Sequence, residues 1–193
     1  MKKVLVFGMT DNPGGMESVI MNYYRHIDRS VLQFEFLCNT EKVAYEDEIR
    51  KLGGVIHNIC ARSKNLKQYK HDMTEFFKNN AEKYCALWFN TCSLSNIDYL
   101  VYATKYHIPK RIIHCHNAAN GGDSFLRNLL HKYHQRKVFK YATDFWTCNQ
   151  DSDLWFFGKS SKELPNYRVI YNAIDLDYFA PNDEIRKEYR SKL

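Results

Sequence analysis

Three stretches of the sequence hold groups that could do chemistry. In the first, residues 9–18, Gly14 and Gly15 fall between a strand-like run and a helix-like one. Without a Cβ their backbone can approach a ligand closely, and the following helix start offers free N–H groups and a partial positive charge, which suits a phosphate. A plain turn using glycine for positive φ is the other reading. The pattern is neither G-x-G-x-x-G nor a P-loop, since no Lys follows. The second stretch is His114-Cys115-His116-Asn117. Side chains alternate along a strand, so the two histidines share a face, and one of them could polarise a substrate hydroxyl. A hydrogen-bonded structural histidine is the plainer alternative. No acidic or histidine partner stands at metal-binding spacing, so no metal is expected.

The third stretch, residues 124–143, has no Asp or Glu and carries Arg127, Lys132, Arg136, Lys137 and Lys140. Phe125, Leu126, Leu129, Leu130 and Tyr133 interleave with them, and His131 and His134 sit among them. One reading is a core-facing helix with a solvated basic face. The other is contact with anionic lipid head groups or a polyanionic carrier. Lys132, Arg136 and Lys140 follow i, i+4, i+8 and align; Arg127 and Lys137 lie further round.

Alternating strands and helices must position these groups. The spacing predicts strands over 4–8, 32–38, 55–59, 86–90, 111–115, 144–148 and 168–171. Helix-period segments fall over 16–27, 45–52, 66–84, 96–106, 124–141 and 151–157. That order argues for an α/β fold: a doubly wound parallel sheet, with ligands at the carboxyl ends of its strands. The loops to watch therefore follow Gly8, Asn90, Cys115, Cys148 and Tyr171. Residues 180–183 read as a linker, and a charged helix is expected over 184–193.

The chain has 193 residues, 45% of them hydrophobic and 15% aromatic, which excludes a disordered chain. The net charge of +6 is too modest, and too free of nucleic-acid motifs, for a nucleic-acid partner to be expected. The six cysteines are scattered, with no C-x-x-C, so buried thiols in a reducing cytosol are expected rather than a disulfide framework. No run of about 18 apolar residues occurs, and the apolar run near the N-terminus ends too early for a secretory signal. A cytoplasmic protein is expected, able to lie at the inner face of the membrane.

Four segments in order resemble the glycosyltransferase family 4 (group 1) enzymes of capsule and exopolysaccharide assembly. They are Gly14-Gly15-Met16-Glu17, then Ile113-His114-Cys115-His116-Asn117, then residues 148–158 beginning Cys148-Asn149, and finally Val169-Ile170-Tyr171-Asn172-Ala173-Ile174-Asp175 with a trailing Phe179. The resemblance implies the N-terminal, acceptor-binding, Rossmann-like half of a GT-B fold. It places that half over residues 1–180, with 181–193 leading into a C-terminal donor domain that the 193 residues do not contain. It further implies a retaining, metal-independent transfer without a cofactor. The donor is a nucleotide sugar, the acceptor is a saccharide or lipid-linked, and the product goes to cell-surface polysaccharide.

Carried over position by position, His116 matches the histidine near the reacting sugar. Gly14, Gly15, Glu17, Asn117, Asn149 and Asn172 match substrate- or phosphate-contacting positions. Arg127, Lys132, Arg136 and Lys140 become the expected membrane contacts. The family commonly has Ser where this chain has Asn149. A non-catalytic binding module and a GT-B-type sugar-nucleotide epimerase are the alternative readings. A nicotinamide dehydrogenase is disfavoured, because the glycine fingerprint is absent and only Glu41 lies near the end of the second strand.

Overall fold

The computed structural model describes residues 1–117, 124–176 and 179–192. The first half runs β1 (Lys2–Phe7), α1 (Gly15–His26), β2 (Leu32–Cys38), α2 (Glu46–Lys51), β3 (Val55–Asn58) and α3 (Leu66–Asn80). A 3-10 turn over Ala81–Lys83 then leads into β4 (Ala86–Thr91) and α4 (Asp98–Lys105). The second half runs β5 (Lys110–Cys115), α5 (Phe125–Tyr141), β6 (Asp144–Thr147), α6 (Ser152–Phe157), β7 (Tyr167–Val169) and α7 (Asp183–Ser191). Each expected strand and helix forms, with ends shifted by a few residues. The remainder of the loop after β5, including Gly121 and Gly122, and the expected last helical residue, Leu193, lie outside the described residues.

The strands pair in parallel in the order β3-β2-β1-β4-β5-β6-β7. Succession reverses between β1 and β4. That is the switch point where the loops part and leave a crevice at the carboxyl edge. Strand alternation sorts the core. Leu5, Leu37, Leu87, Phe89, Ile113 and Phe145 face α3, α4, α5 and α6. Val4, Val6, Phe34, Phe36, Trp88 and Ile112 face α1 and α2. An apolar groove of about 250 Å3, bounded by Tyr23, Trp88, Ile112 and Trp146 among others, stays open on the α1 side.

One buried carboxylate inside the sheet is fully paired, whereas His114 Nε2 and Trp146 Nε1 have no hydrogen-bond partner among the described residues. Glu35 on β2 accepts from Lys3 at 2.6 Å and from Tyr84 at 2.7 Å, and it bonds His57 at 2.8 Å. Burial pushes its carboxyl up, but these three hydrogen bonds outweigh burial and hold it down at about 2. The cysteines of the described residues are all free, with Cys38 and Cys115 buried. No helix among the described residues is long and apolar enough to cross a membrane.

Candidate active site

The carboxyl edge at the switch point is built around one amide. Asn90, at the end of β4, is fully buried. Its Nδ2 donates to the carbonyl of Phe7 on β1 at 3.1 Å and to that of Trp88 at 3.3 Å. Two carbonyl partners fix Nδ2 as the donor end, so Oδ1 is the end that meets His116 Nε2, at 2.9 Å. Nε2 must then carry the proton, which leaves Nδ1 as the acceptor nitrogen of the ring. The His116 backbone N–H is tied to the carbonyl of Thr91. Burial lowers the His116 pKa to about 4, so the ring is neutral near pH 7 and able to accept a proton or a hydroxyl hydrogen bond.

His114 and His116 do share a face, with ring centroids 4.2 Å apart, but they are not equivalent. His114 is completely buried, and its Nδ1 accepts from Trp88 Nε1 at 3.3 Å. Burial, and then the neighbouring His116, lower its pKa to about 2. Of the two rings, the half-buried His116 is the one with access to solvent.

Gly8 makes the crossing at this point possible. Its φ is +133°, and a Cβ there would stand 2.7 Å from the Asn90 Cβ and 3.2 Å from the Asn90 carbonyl oxygen. Only glycine tolerates both constraints. Gly8→Ala is expected to cost roughly 3 kcal/mol in urea unfolding, from backbone strain and overlap together. Sequence reasoning marked Gly8 and Asn90 only as the strand ends that the loops to watch follow. An Asn ending a wholly apolar strand was the available signal.

The glycine pair behaves differently from the positive-φ reading. Gly14 has φ −81°, and Gly15 is the first residue of α1, so neither needs the left-handed region. A Cβ on Gly15 would meet nothing within 4 Å. That open space keeps the close-approach reading for Gly15. Gly15→Val is therefore expected to stay folded, with its melting temperature little changed, and to lose function if a phosphate sits there.

Two of the expected contacts already have partners within the chain. Glu17 is buried and accepts from Thr10 Oγ1 at 2.6 Å, and its carboxylate stands beside Gly14. Glu17 thus braces the loop, and an anion at the helix N-terminus opposes a phosphate there. Asn149 Oδ1 accepts from the Asp151 N–H and the Ser152 hydroxyl, at 3.0 and 2.7 Å. It shapes the entry to α6 and is occupied there.

Gly15 and Asn172 come together in a cleft of about 670 Å3 that also holds Asn22, Arg25, Tyr45 and Phe179. The segment after β7 lies over α1 there: Asn22 Nδ2 donates to the Ala173 carbonyl at 2.9 Å and the Tyr23 hydroxyl to that of Tyr171 at 3.4 Å. Arg25 is held by both oxygens of Glu48, at 2.6 and 2.8 Å. His116, Asn117 and Asn149 do not line this cleft. Asn117 is half-buried, and its carbonyl accepts from the Cys115 thiol. Among the described residues, no group of three His, Cys, Asp or Glu side chains could hold a metal ion.

The basic helix is not core-facing in the expected way. His131 and Val138 are its buried residues. Phe125, Leu126, Leu129 and Tyr133 point to solvent. His131 and His134 face inward, on the backbone N–H and carbonyl of Leu94. Nine residues make two and a half helical turns, so Arg127 lies on the opposite side from Arg136, apart from the aligned Lys132, Arg136 and Lys140.

No family model matches this chain. A glycosyltransferase from Rickettsia africae superposes on 99% of it with a TM-score of 0.66 at 14% identity, using 49% of that protein. MurG of Acinetobacter baumannii covers 94% at a TM-score of 0.58 and 13% identity, using 48% of its own length. The lipopolysaccharide outer core galactosyltransferase WaaB covers 91% at 0.57 and 14%, using 47%. The fold is that of about half of each of these glycosyltransferases, which are of the GT-B class. In sequence, the chain is 29% identical over 193 residues to EpsF of Bacillus subtilis (strain 168), a protein provisionally assigned as a glycosyltransferase. The match takes in 98% of the chain, which spans 50% of the length of EpsF. The crevice at the β1–β4 switch point is where open α/β sheets in general take their ligands.

Proposed function

We propose that this chain is the acceptor-binding half of a glycosyltransferase that makes cell-surface polysaccharide. The observation that carries the reading is the 29% identity to EpsF across nearly the whole chain. The placing of a neutral, anchored His116 at the switch point supports it. In this reading residues 181–192, which bury no side chain, lead into the donor-binding half.

Transfer breaks the bond from the donor sugar to the nucleotide phosphate and forms one to the acceptor oxygen. The acceptor hydroxyl proton passes to the leaving phosphate, so no metal and no protein base is required. His116 holds a hydroxyl of the reacting sugar through Nδ1, and the open backbone at Gly15 admits a phosphate. The configuration at the sugar carbon is retained. The acceptor is a saccharide or a lipid-linked sugar, handled on the cytoplasmic side.

A protein carrying this domain with its donor half, given radiolabelled sugar nucleotides and a lipid-linked acceptor, is expected to transfer sugar in excess EDTA with retained anomeric configuration. Transfer lost with EDTA, or an inverted product, would overturn those parts. Residues 1–193 alone are expected to turn over no nucleotide sugar and to bind nucleotide no tighter than about millimolar, since donor contacts belong to the other half.

A further inference from the structure

One bulky side chain sits where the backbone disfavours it. Tyr45, the residue before α2, has φ +61° and ψ +21°, the left-handed region that a tyrosine rarely adopts. The fold holds it there. The Ala44 N–H donates to the Thr10 carbonyl at 2.7 Å, and the Tyr45 hydroxyl meets Ser18 Oγ at 3.2 Å. Strain of this kind persists where it places a side chain for use. Here it places a half-buried ring in the cleft over α1, beside the ion pair of Arg25 and Glu48. The Arg25 guanidinium lies 5.6 Å from the ring centroid.

The cleft follows one face of α1. Gly15, Ser18, Asn22 and Arg25 recur along it at helical spacing, and ten residues of helix span about 15 Å. Its sides are the start of α2 and the segment after β7, where Ile174 and Phe179 are 60% and 63% exposed. The charge near Tyr45 does not suit an anion. Glu48 neutralises Arg25 through both oxygens, and the Asp175 carboxylate acts on Arg25 as well. Apolar walls set among donors and acceptors suit a neutral ligand with apolar ring faces and a hydroxylated edge. The cleft is longer than one sugar ring, and His116 does not line it.

We propose that this cleft is a subsite for an acceptor of two or more sugar units, with a ring other than the reacting one packed against Tyr45. The choice of a saccharide rests on the glycosyltransferase reading. Tyr45 supplies a flat apolar surface, and the Arg25–Glu48 pair offers donors and acceptors to the ring hydroxyls. Tyr45 then selects the acceptor and leaves the transfer step to groups at the switch point.

The test is saturation-transfer NMR of residues 1–193 with maltotriose, cellotriose and chitotriose, beside glucose, N-acetylglucosamine and uridine diphosphate. At least one trisaccharide is expected to bind in the millimolar range, about tenfold or more tighter than its own monosaccharide. Tyr45→Phe should keep that binding, because the ring remains. Tyr45→Asn should weaken it about tenfold or more with the circular dichroism unchanged, since Asn accepts left-handed backbone. Ser18→Leu, on exposed helix surface, should narrow the cleft and weaken binding likewise. The proposal is overturned if no trisaccharide binds, or if one binds no tighter than its monosaccharide. Binding that survives both Tyr45→Asn and Ser18→Leu would also overturn it. Tyr45-dependent trisaccharide binding, beside a protein that transfers no sugar when joined to its donor half, would remove the glycosyltransferase reading and leave the subsite. Transfer without such binding would do the reverse.

Discussion

Replacing His116 with Ala is expected to lower turnover of the active enzyme by about 10²–10⁴-fold, the usual contribution of a positioned histidine, with the fold intact. The imidazole is neutral near pH 7 and presents one acceptor nitrogen, so the substitution removes a single directed contact. If the contact tightens only as the transition state forms, kcat falls and KM moves little. Asn90→Ala should lower kcat less, because it leaves the His116 ring in place and removes the partner that selects its tautomer, although it also frees the Phe7 and Trp88 carbonyls. His114→Ala should also do less to kcat, since that ring is sealed beneath its neighbour. A full rate for His116→Ala beside a large loss for His114→Ala would assign the chemistry to the wrong ring.

The second large effect is acid lability. His114 and His116 are neutral when folded, with pKa values of about 2 and about 4, and return to the ordinary 6.5 when the chain unfolds. Below 6.5 the unfolded chain therefore binds protons that the folded one refuses, and stability falls with pH. Between pH 7 and 4.5 each ring contributes a loss of about 2.5 kcal/mol, about 5 together, comparable with the whole stability of many domains. Glu35 adds its own loss between about 4.5 and about 2, where the unfolded carboxyl has taken a proton and the folded one stays charged. Urea titrations across this range should show the slope. His114→Phe should flatten it by about half, at the expense of an unpaired Trp88 N–H and lower stability at neutral pH. A free energy of unfolding constant from pH 7 to 4.5 would contradict the argument.

The elements were legible because their signals are local. Runs such as Leu32–Cys38 or Ala86–Thr91 can be nothing but buried strands, and Gly53 and Gly158 stop helices where they adopt positive φ. His116 was legible only through the resemblance, since spacing left both histidines open. Asn90 was not singled out, because its meaning lies in partners at positions 7, 88 and 116 that only folding assembles. Glu35 is similar: Lys3, His57 and Tyr84 come from separate segments. The outward apolar turn of α5 escaped for another reason. Apolar residues lie around much of that helix, so periodicity could not tell which side meets the core.

The single amide at Asn90 makes folding fidelity a condition of reactivity. Parallel pairing sets Phe7 against Phe89, so the next side chain along β4 reaches back to the Phe7 carbonyl. Slipping β4 by one residue would turn Asn90 to the opposite face of the sheet. The imidazole would then lose the oxygen that selects its tautomer, and a different nitrogen could face the substrate. A misregistered molecule would be silent rather than slow. In a population trapped partly in that state during refolding, active-site titration would count fewer competent molecules while each of them kept its full rate.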